Sequence, residues 1–297
     1  MKHWLHAFRL RTLPLAVSSI LVGSALAAFR GAFHWIVFTL ALVTAILLQV
    51  LSNLANDLGD HEHGTDDHER VGPQRAVQSG AITPDRMKRA LWICGASALI
   101  SGVALTLVAF GTTLTTLVFL GIGLLAIAAA VRYTYGGRPY GYAGLGDISV
   151  LLFFGIVGVM GTFYLHTGSW WTPAMLPAIG FGLLATGVLN TNNLRDIVND
   201  GAKGKRTLAV RLGVERDKVY HALLILGGLA CVVAFTAFHF RGMAQWGFLI
   251  ATPMLASQMK RVLQNLDPHT LDPELKRLAL GTFLCAITFS LGLWLVR

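Results

Sequence analysis

The stretch LLQVLSNLANDLGDHEHGTDD, Leu47 to Asp67, decides how this chain is read. It begins as an apolar segment fit for a lipid interior and ends among five acidic residues, Asp57, Asp60, Glu62, Asp66 and Asp67. A charge at the bilayer centre costs about 2.5–3.5 kcal/mol, so carboxylates kept at such a boundary point to a use. The composition around the stretch is equally one-sided: 54% of the 297 residues are hydrophobic and 13% charged, with a mean hydropathy of +0.60. Soluble domains carry about 25% charged residues. The chain therefore reads as all-α, a polytopic membrane helix bundle. The start, MKHWLHAFRLRTLPLAV, has no convincing small-residue cleavage site, so no removable signal peptide is expected.

Apolar runs of about 20 residues span a bilayer. Nine are predicted: Leu13–Phe29, Phe33–Leu54, Met87–Phe110, Thr113–Tyr133, Ile148–Leu165, Pro173–Leu194, Val219–Phe238, Trp246–Met259 and Leu278–Val296. The eighth is short. The loops between them alternate in character. One side holds twenty-one Lys and Arg residues, the other only Arg30, Arg241 and Arg297. The positive-inside rule then predicts a cytoplasmic N-terminus and a C-terminus on the far side. All fifteen acidic residues fall on the cytoplasmic side, so the chemistry faces the cytoplasm. The net charge of +9 is explained by this topology, and nucleic acid is not expected as a partner.

The two richest cytoplasmic loops echo each other. NLANDLGD, Asn53 to Asp60, follows the second helix, and NNLRDIVND, Asn192 to Asp200, follows the sixth. Asn53/Asp57 and Asn192/Asp196 repeat at an offset of 139 residues. The chain reads as one domain over residues 1–297, with four-helix units at about 10–135 and 147–260 and a ninth helix at 278–296. If the helices continue through the motifs, Asn53, Asn56, Asp57 and Asp60 share one face, as do Asn192, Asp196, Asn199 and Asp200. Clustered carboxylates repel unless a divalent cation sits among them. Mg²⁺ suits such a site, because it binds through a few carboxylates together with substrate phosphates. Two facing sets would clamp a Mg²⁺–diphosphate.

Basic residues surround the same side: Arg9, Arg11, Arg75, Arg132, Arg138, Lys203, Lys205, Arg206 and Arg211. Some can neutralise diphosphate oxygens, while others serve topology alone. His61, His63 and His68 among the acids raise a transition-metal site as a weaker reading. Gly155, Gly158 and Gly161 permit close helix packing, or a groove for an isoprenoid tail. Cys94, Cys231 and Cys285 have no metal or redox spacing.

These motifs resemble those of the UbiA-type intramembrane aromatic prenyltransferases. NLANDLGDHEHGTD is similar to the first Asp-rich motif of that family and NNLRDIVNDGAKGKRTLAVRLG to the second. RVGPQRAVQSGAIT, YTYGGRPYGYAGLGDISVLLFFG and RLRTLPLAV resemble its menaquinone branch in bacteria. The resemblance implies a nine-helix bundle in the bacterial inner membrane, with a lateral opening to lipid and a cytoplasmic cap. It implies polyprenyl diphosphate and 1,4-dihydroxy-2-naphthoate as substrates, Mg²⁺ as cofactor and demethylmenaquinone as product. Metal-bridging acids carry over to Asp57, Asp60, Asp196 and Asp200, with Asn53, Asn56, Asn192 and Asn193 beside them and Asp66 as a third acid of the first motif. Arg11, Arg75, Arg138, Lys205 and Arg211 are the expected diphosphate contacts. Asp147 is a candidate to orient or deprotonate a ring hydroxyl of the acceptor. The chain departs from the family pattern at Arg9-Leu10, where Arg-Pro is common, at His63, where Lys is common, and at Gly64, where the wider superfamily has Asp.

Two rival readings stay open. A sister prenyltransferase would act on 4-hydroxybenzoate, a chlorophyllide or haem. A cation transporter would place ionisable residues near the midplane, whereas the acids here lie at helix ends.

Overall fold

The computed structural model of the chain describes residues 2–65 and 74–297. A short helix, Lys2–Ala7, and a tight turn, Leu10–Thr12, lead into α1, Leu13–Phe29. There follow α2, Trp35–Glu62; α3, Pro84–Phe110; α4, Leu114–Arg132; α5, Gly146–Thr167; α6, Met175–Arg195; and α7, Val214–Phe238. A 3₁₀ segment, Met243–Ala251, runs directly into α8, Thr252–Gln264, and α9, Asp272–Leu295, closes the chain. Among the described residues, eight helices are long and apolar enough to cross a membrane.

The ninth predicted crossing, Trp246–Met259, lies within the composite of 3₁₀ segment and α8. Nine residues in 3₁₀ geometry and thirteen in α geometry span about 37 Å, enough for a hydrocarbon core of about 30 Å. The 3₁₀ segment lies close against α9. A Cβ on Gly292 would come within 2.3 Å of the Ala244 carbonyl oxygen. The buried Gln245 amide fixes its start, accepting from the Arg241 and Gly242 backbone and donating to the His239 carbonyl.

α1 and α6 are buried along most of their length, whereas α3 and α4 are mostly exposed. Along α3 and α4 large apolar side chains are exposed, among them Trp92, Ile93, Ile100, Leu117 and Leu125, as a lipid-facing surface requires, while the exposed charges Asp85, Arg86, Arg89 and Arg132 sit at the helix ends. α6 packs against α5, α7 and α9, and α9 packs back onto α1. Close approach depends on glycine at the α5–α6 crossing: a Cβ on Gly155 would lie 2.6 Å from the Ala178 carbonyl oxygen and 3.1 Å from the Cα of Gly182. Leu151–Gly161 of α5 is wound as a π-helix, a form concentrated at functional sites. α4 packs chiefly on α3 and α2 and meets α5 through the stacked rings of Phe119 and Tyr164.

With Met243–Gln264 counted beside the eight long helices, nine crossings among the described residues would put the termini on opposite faces. A reporter fused after Arg297 is expected to read as non-cytoplasmic, and one before Lys2 as cytoplasmic. A cytoplasmic signal from both would mean that Met243–Gln264 does not cross.

Candidate active site

α2 carries the first acidic motif beyond the bilayer. Its 28 residues extend about 42 Å, so the last turns, with Asn53, Asn56, Asp57 and Asp60, stand at or above the membrane face. The helix runs unbroken through the motif, as the shared-face reading requires, but that face is divided. At about 100° per residue, Asn56 and Asp60 lie to one side of Asn53 and Asp57 to the other. Asn53, Asn56 and Asp60 line a cavity, whereas Asp57 points into the loop before α3. The Asp57 carboxylate accepts from the backbone N–H groups of Ala76 and Val77 at 3.0 and 3.1 Å. From the same loop Arg75 reaches back, pairing with Asp60 at 2.6 Å and donating to the Asn56 carbonyl. Gly59 lets the α2 end meet the chain after α4, since a Cβ there would lie 2.5 Å from the Thr134 carbonyl oxygen.

The second motif is broken where a continuous helix was expected. α6 ends at Arg195, Asp196 has φ −93° and ψ 8°, and a new short helix runs Ile197–Ala202. Adjacent side chains diverge on a regular helix. The break lets Arg195 grip its neighbour Asp196 with both Nε (2.8 Å) and a terminal nitrogen (2.7 Å). Fully buried, Arg195 also donates to Asn192 at 3.0 Å and pairs with Asp272, at the start of α9, at 2.5 Å. Arg11 meets the same Asp272 at 3.4 Å.

Three connections on the acid-bearing side close over this end. Tyr142, between α4 and α5, donates to Asp60 at 2.6 Å and contacts Thr65 at 3.1 Å. Lys205 lies over the Tyr142 ring and pairs with Asp200 at 3.3 Å. Asn199 and Lys203 donate to the carbonyls of Thr65 and Gly64. Burial pushes the Asp200 carboxyl up to about 6, with Asp196 and Asp60 adding repulsion and Lys205 opposing it. Burial would lower the Lys205 ammonium, but Asp60 and Asp200 outweigh it and hold the group above its ordinary value. Burial, and then the Asp60 anion, raises the Tyr142 hydroxyl.

Beneath the cap lies a cavity of about 790 Å³, walled by residues of α1 to α6. Its mouth is polar, with Arg9, Arg11, Asn53, Asn56, Asp60, Arg75, Asn192, Asn193 and Lys205. Arg9 enters from the bend before α1 at a φ of 48°, a region rarely adopted by residues other than glycine. Below the mouth the walls are apolar, and Leu114, Val118, Phe119, Phe153, Val157 and Tyr164 face the cavity from α4 and α5, which meet at one end where the Phe119 and Tyr164 rings stack at 5.5 Å. Gly158 and Gly161 line it too, whereas Gly155 serves packing.

Not every expected residue meets the cavity. Arg138 is exposed and does not line it, and Arg211 instead donates to the carbonyls of Arg206 and Ala143 as a loop clamp. Asp147 is buried away from it, at the start of α5, accepting from Tyr220 of α7 at 3.3 Å. This geometry does not bring Asp147 to an acceptor in the cavity. Asp66 and His68 lie outside the described residues. His61 and His63 are exposed, and among the described residues no three His, Cys, Asp or Glu side chains converge as a transition-metal cage. Tyr142, Arg195 and Asp272 were missed as site residues, although Tyr142 lies in the YTYGGRPYGYAGLGD stretch and Arg195 inside the second motif.

A cation-rimmed, acid-bearing mouth above an apolar cavity suits an amphiphile with a multiply charged head, handled at a membrane surface. That is the architecture of an intramembrane transferase, and the chain belongs to the UbiA prenyltransferase family, whose model matches residues 16–287. It is 49% identical to the 1,4-dihydroxy-2-naphthoate octaprenyltransferase of Escherichia coli (strain K12), over 98% of this chain and 95% of that one. It is 46% identical to the enzyme of the same name from Haemophilus influenzae, over 99% and 96%. The fold is that of a UbiA homolog from Aeropyrum pernix K1, with a TM-score of 0.71 at 16% identity, covering 96% of this chain and 97% of that one. A UbiA homolog from Archaeoglobus fulgidus, bound to DMAPP and Mg²⁺, aligns with a TM-score of 0.56 at 16% identity over 95% and 98%. The chain is a multi-pass membrane protein.

Arg195 generates a test of the second motif. Replacing it with Met leaves the Asp196 carboxylate buried without its fork, and breaking a buried pair costs about 3–5 kcal/mol. Arg195→Met is expected to lower the unfolding midpoint in detergent far more than Arg11→Met, whose partner Asp272 is partly exposed. Equal midpoints for the two variants would show that Arg195 does not hold the motif.

Proposed function

We propose that this chain transfers a polyprenyl group from polyprenyl diphosphate to 1,4-dihydroxy-2-naphthoate with loss of CO₂, forming the reduced form of demethylmenaquinone in a bacterial inner membrane, with its active site on the cytoplasmic face. The observation that carries this reading is the continuity of the cavity from a cation-lined mouth to an apolar passage between α4 and α5. The identity to naphthoate octaprenyltransferases along the whole chain selects the acceptor.

The diphosphate head occupies the mouth, where Arg75, Lys205 and Arg11 face it. Hard oxygens from Asp60, Asn53, Asn56 and Asn192 line the mouth and would suit Mg²⁺. Asp196 and Asp200 stand outside the cavity lining, Asp200 with its Oδ2 buried and without a hydrogen-bond partner, and among the described residues no three carboxylates converge on one point. When bound, Mg²⁺ supplies charge neutralisation for the leaving diphosphate. Asp57 belongs to the reading as the anchor of the loop that carries Arg75. As the allylic C–O bond breaks, its electron pair passes to the diphosphate, and Arg75 and Lys205 stabilise the growing negative charge. The electron-rich ring attacks the allylic carbon, and CO₂ leaves as aromaticity returns. Apolar walls and the knitted cap exclude water that would otherwise capture the cation. Tyr133 and Tyr140 line the cavity under the cap and border the acceptor ring. The tail leaves between α4 and α5 into lipid, so its length is not measured by a closed pocket. We also infer that the two acid-bearing halves are a duplicated unit: α2 packs chiefly on α3, and α6 on α7.

With purified protein, octaprenyl diphosphate and Mg²⁺, the naphthoate is expected to be prenylated with one CO₂ released per transfer, faster than 4-hydroxybenzoate. The reverse order, or a product that keeps its carboxylate, would overturn the acceptor assignment. Asp60→Asn and Asp200→Asn are each expected to lower turnover by about 100-fold, the scale of one lost electrostatic stabiliser. EDTA should silence the native protein and Mg²⁺ restore it, whereas full activity in EDTA would remove the metal from the reading.

A further inference from the structure

The three basic residues on the face opposite the acidic mouth do not scatter around its rim. Arg30 follows α1, Arg241 lies between α7 and the 3₁₀ segment, and Arg297 follows α9, yet all three border one shallow depression with Phe33, Trp35 and Trp294. We propose that this depression binds the headgroup of an anionic phospholipid.

Each guanidinium lies on an aromatic ring. Arg241 is 3.8 Å from the Phe29 centroid, Arg297 3.8 Å from that of Trp294, and Arg30 5.1 Å from that of Trp171. Stacking occupies the face of a guanidinium and leaves its N–H edges available. Arg241 spends one edge on the Phe29 carbonyl at 3.1 Å. Among the described residues, no side-chain hydrogen bond or ion pair holds Arg30 or Arg297. Every described Asp and Glu lies toward the other face, so among the described residues no carboxylate side chain stands beside the three arginines. Like charges gathered without counter-charges repel one another. Snorkelling to water alone would let them spread apart.

A phosphodiester removes the conflict. Its oxygens match the guanidinium fork, and the aromatic rim, with Trp35 67% exposed, sits where rings pack at headgroup depth. The same rim favours a lipid over free phosphate, because it gives the glycerol and upper acyl carbons an apolar wall. With no carboxylate side chain to receive an ammonium, the site prefers a net-anionic head to a zwitterionic one.

The test is native mass spectrometry of the detergent-purified chain with phosphatidylglycerol, phosphatidylethanolamine or inorganic phosphate. The native protein is expected to retain phosphatidylglycerol over phosphatidylethanolamine by roughly tenfold. R30Q/R241Q should lose that preference while prenyl transfer continues, showing an intact fold, and R30K/R241K should recover part of it. If the double variant fails to fold, single R30Q is expected to reduce the preference. Equal retention of both lipids by the native protein, or an unchanged preference in the folded Gln variants, would overturn the proposal. Binding of inorganic phosphate at these arginines without retained lipid would overturn the lipid assignment.

Discussion

Three carboxylates buried at one edge of this lipid-embedded bundle are each paired with a cation, and those pairs organise the acid-bearing end of the molecule. Asp60 has Arg75, Asp196 has Arg195, and Asp200 has Lys205. Only Arg195 comes from a membrane helix. Arg75 and Lys205 come from loops, so pairing the acids folds those loops over the helix ends. Asp57 acts on backbone rather than a cation, holding Ala76 and Val77 in place and so delivering Arg75. Tyr142 adds the third connection. The cap follows from the electrostatics of the motifs.

The bundle below separates what the reaction must separate. α1 and α6 form the buried centre, and α2 to α5 surround a passage whose walls turn apolar within a few turns of the mouth. Along the passage charge is confined to the mouth, where ions in a water-poor site interact strongly, and the hydrocarbon tail has its own exit. The π-wound stretch of α5 carries Phe153, Val157 and Gly158 on the passage while Gly155 still seats the helix against α6.

Much of this was legible in the sequence because hydropathy reads burial in lipid directly. The first seven predicted spans and the ninth match continuous helices, and the eighth differs because its first half takes a 3₁₀ path against Gly292. Both acidic motifs were found, and Asn53, Asn56, Asp60 and Asn192 do line one cavity. The direction of individual side chains is not legible where a face is not an address. Asp57 and Asp60 are neighbours on a helical wheel, yet small differences in angle send one to a loop and the other to the mouth. The position of Asp147 at a helix start says nothing about the direction of its carboxylate, which meets Tyr220. Arg195 was counted as one topology charge among twenty-one, because a charge count cannot see that one of them is fully buried.

The same count explains how one set of cations can serve two purposes. Orientation in the membrane depends on Lys and Arg, while Asp and Glu contribute little to it. Fifteen acids can therefore sit beside twenty-one basic residues without erasing the topological signal. If net charge set the orientation, every Asp added to the site would weaken the bias that places the site on its face. Because it does not, Arg75, Arg195 and Lys205 can be committed to carboxylates and still count toward insertion. The opposite face has no acidic motif to satisfy, and its three arginines rest on aromatic rings instead.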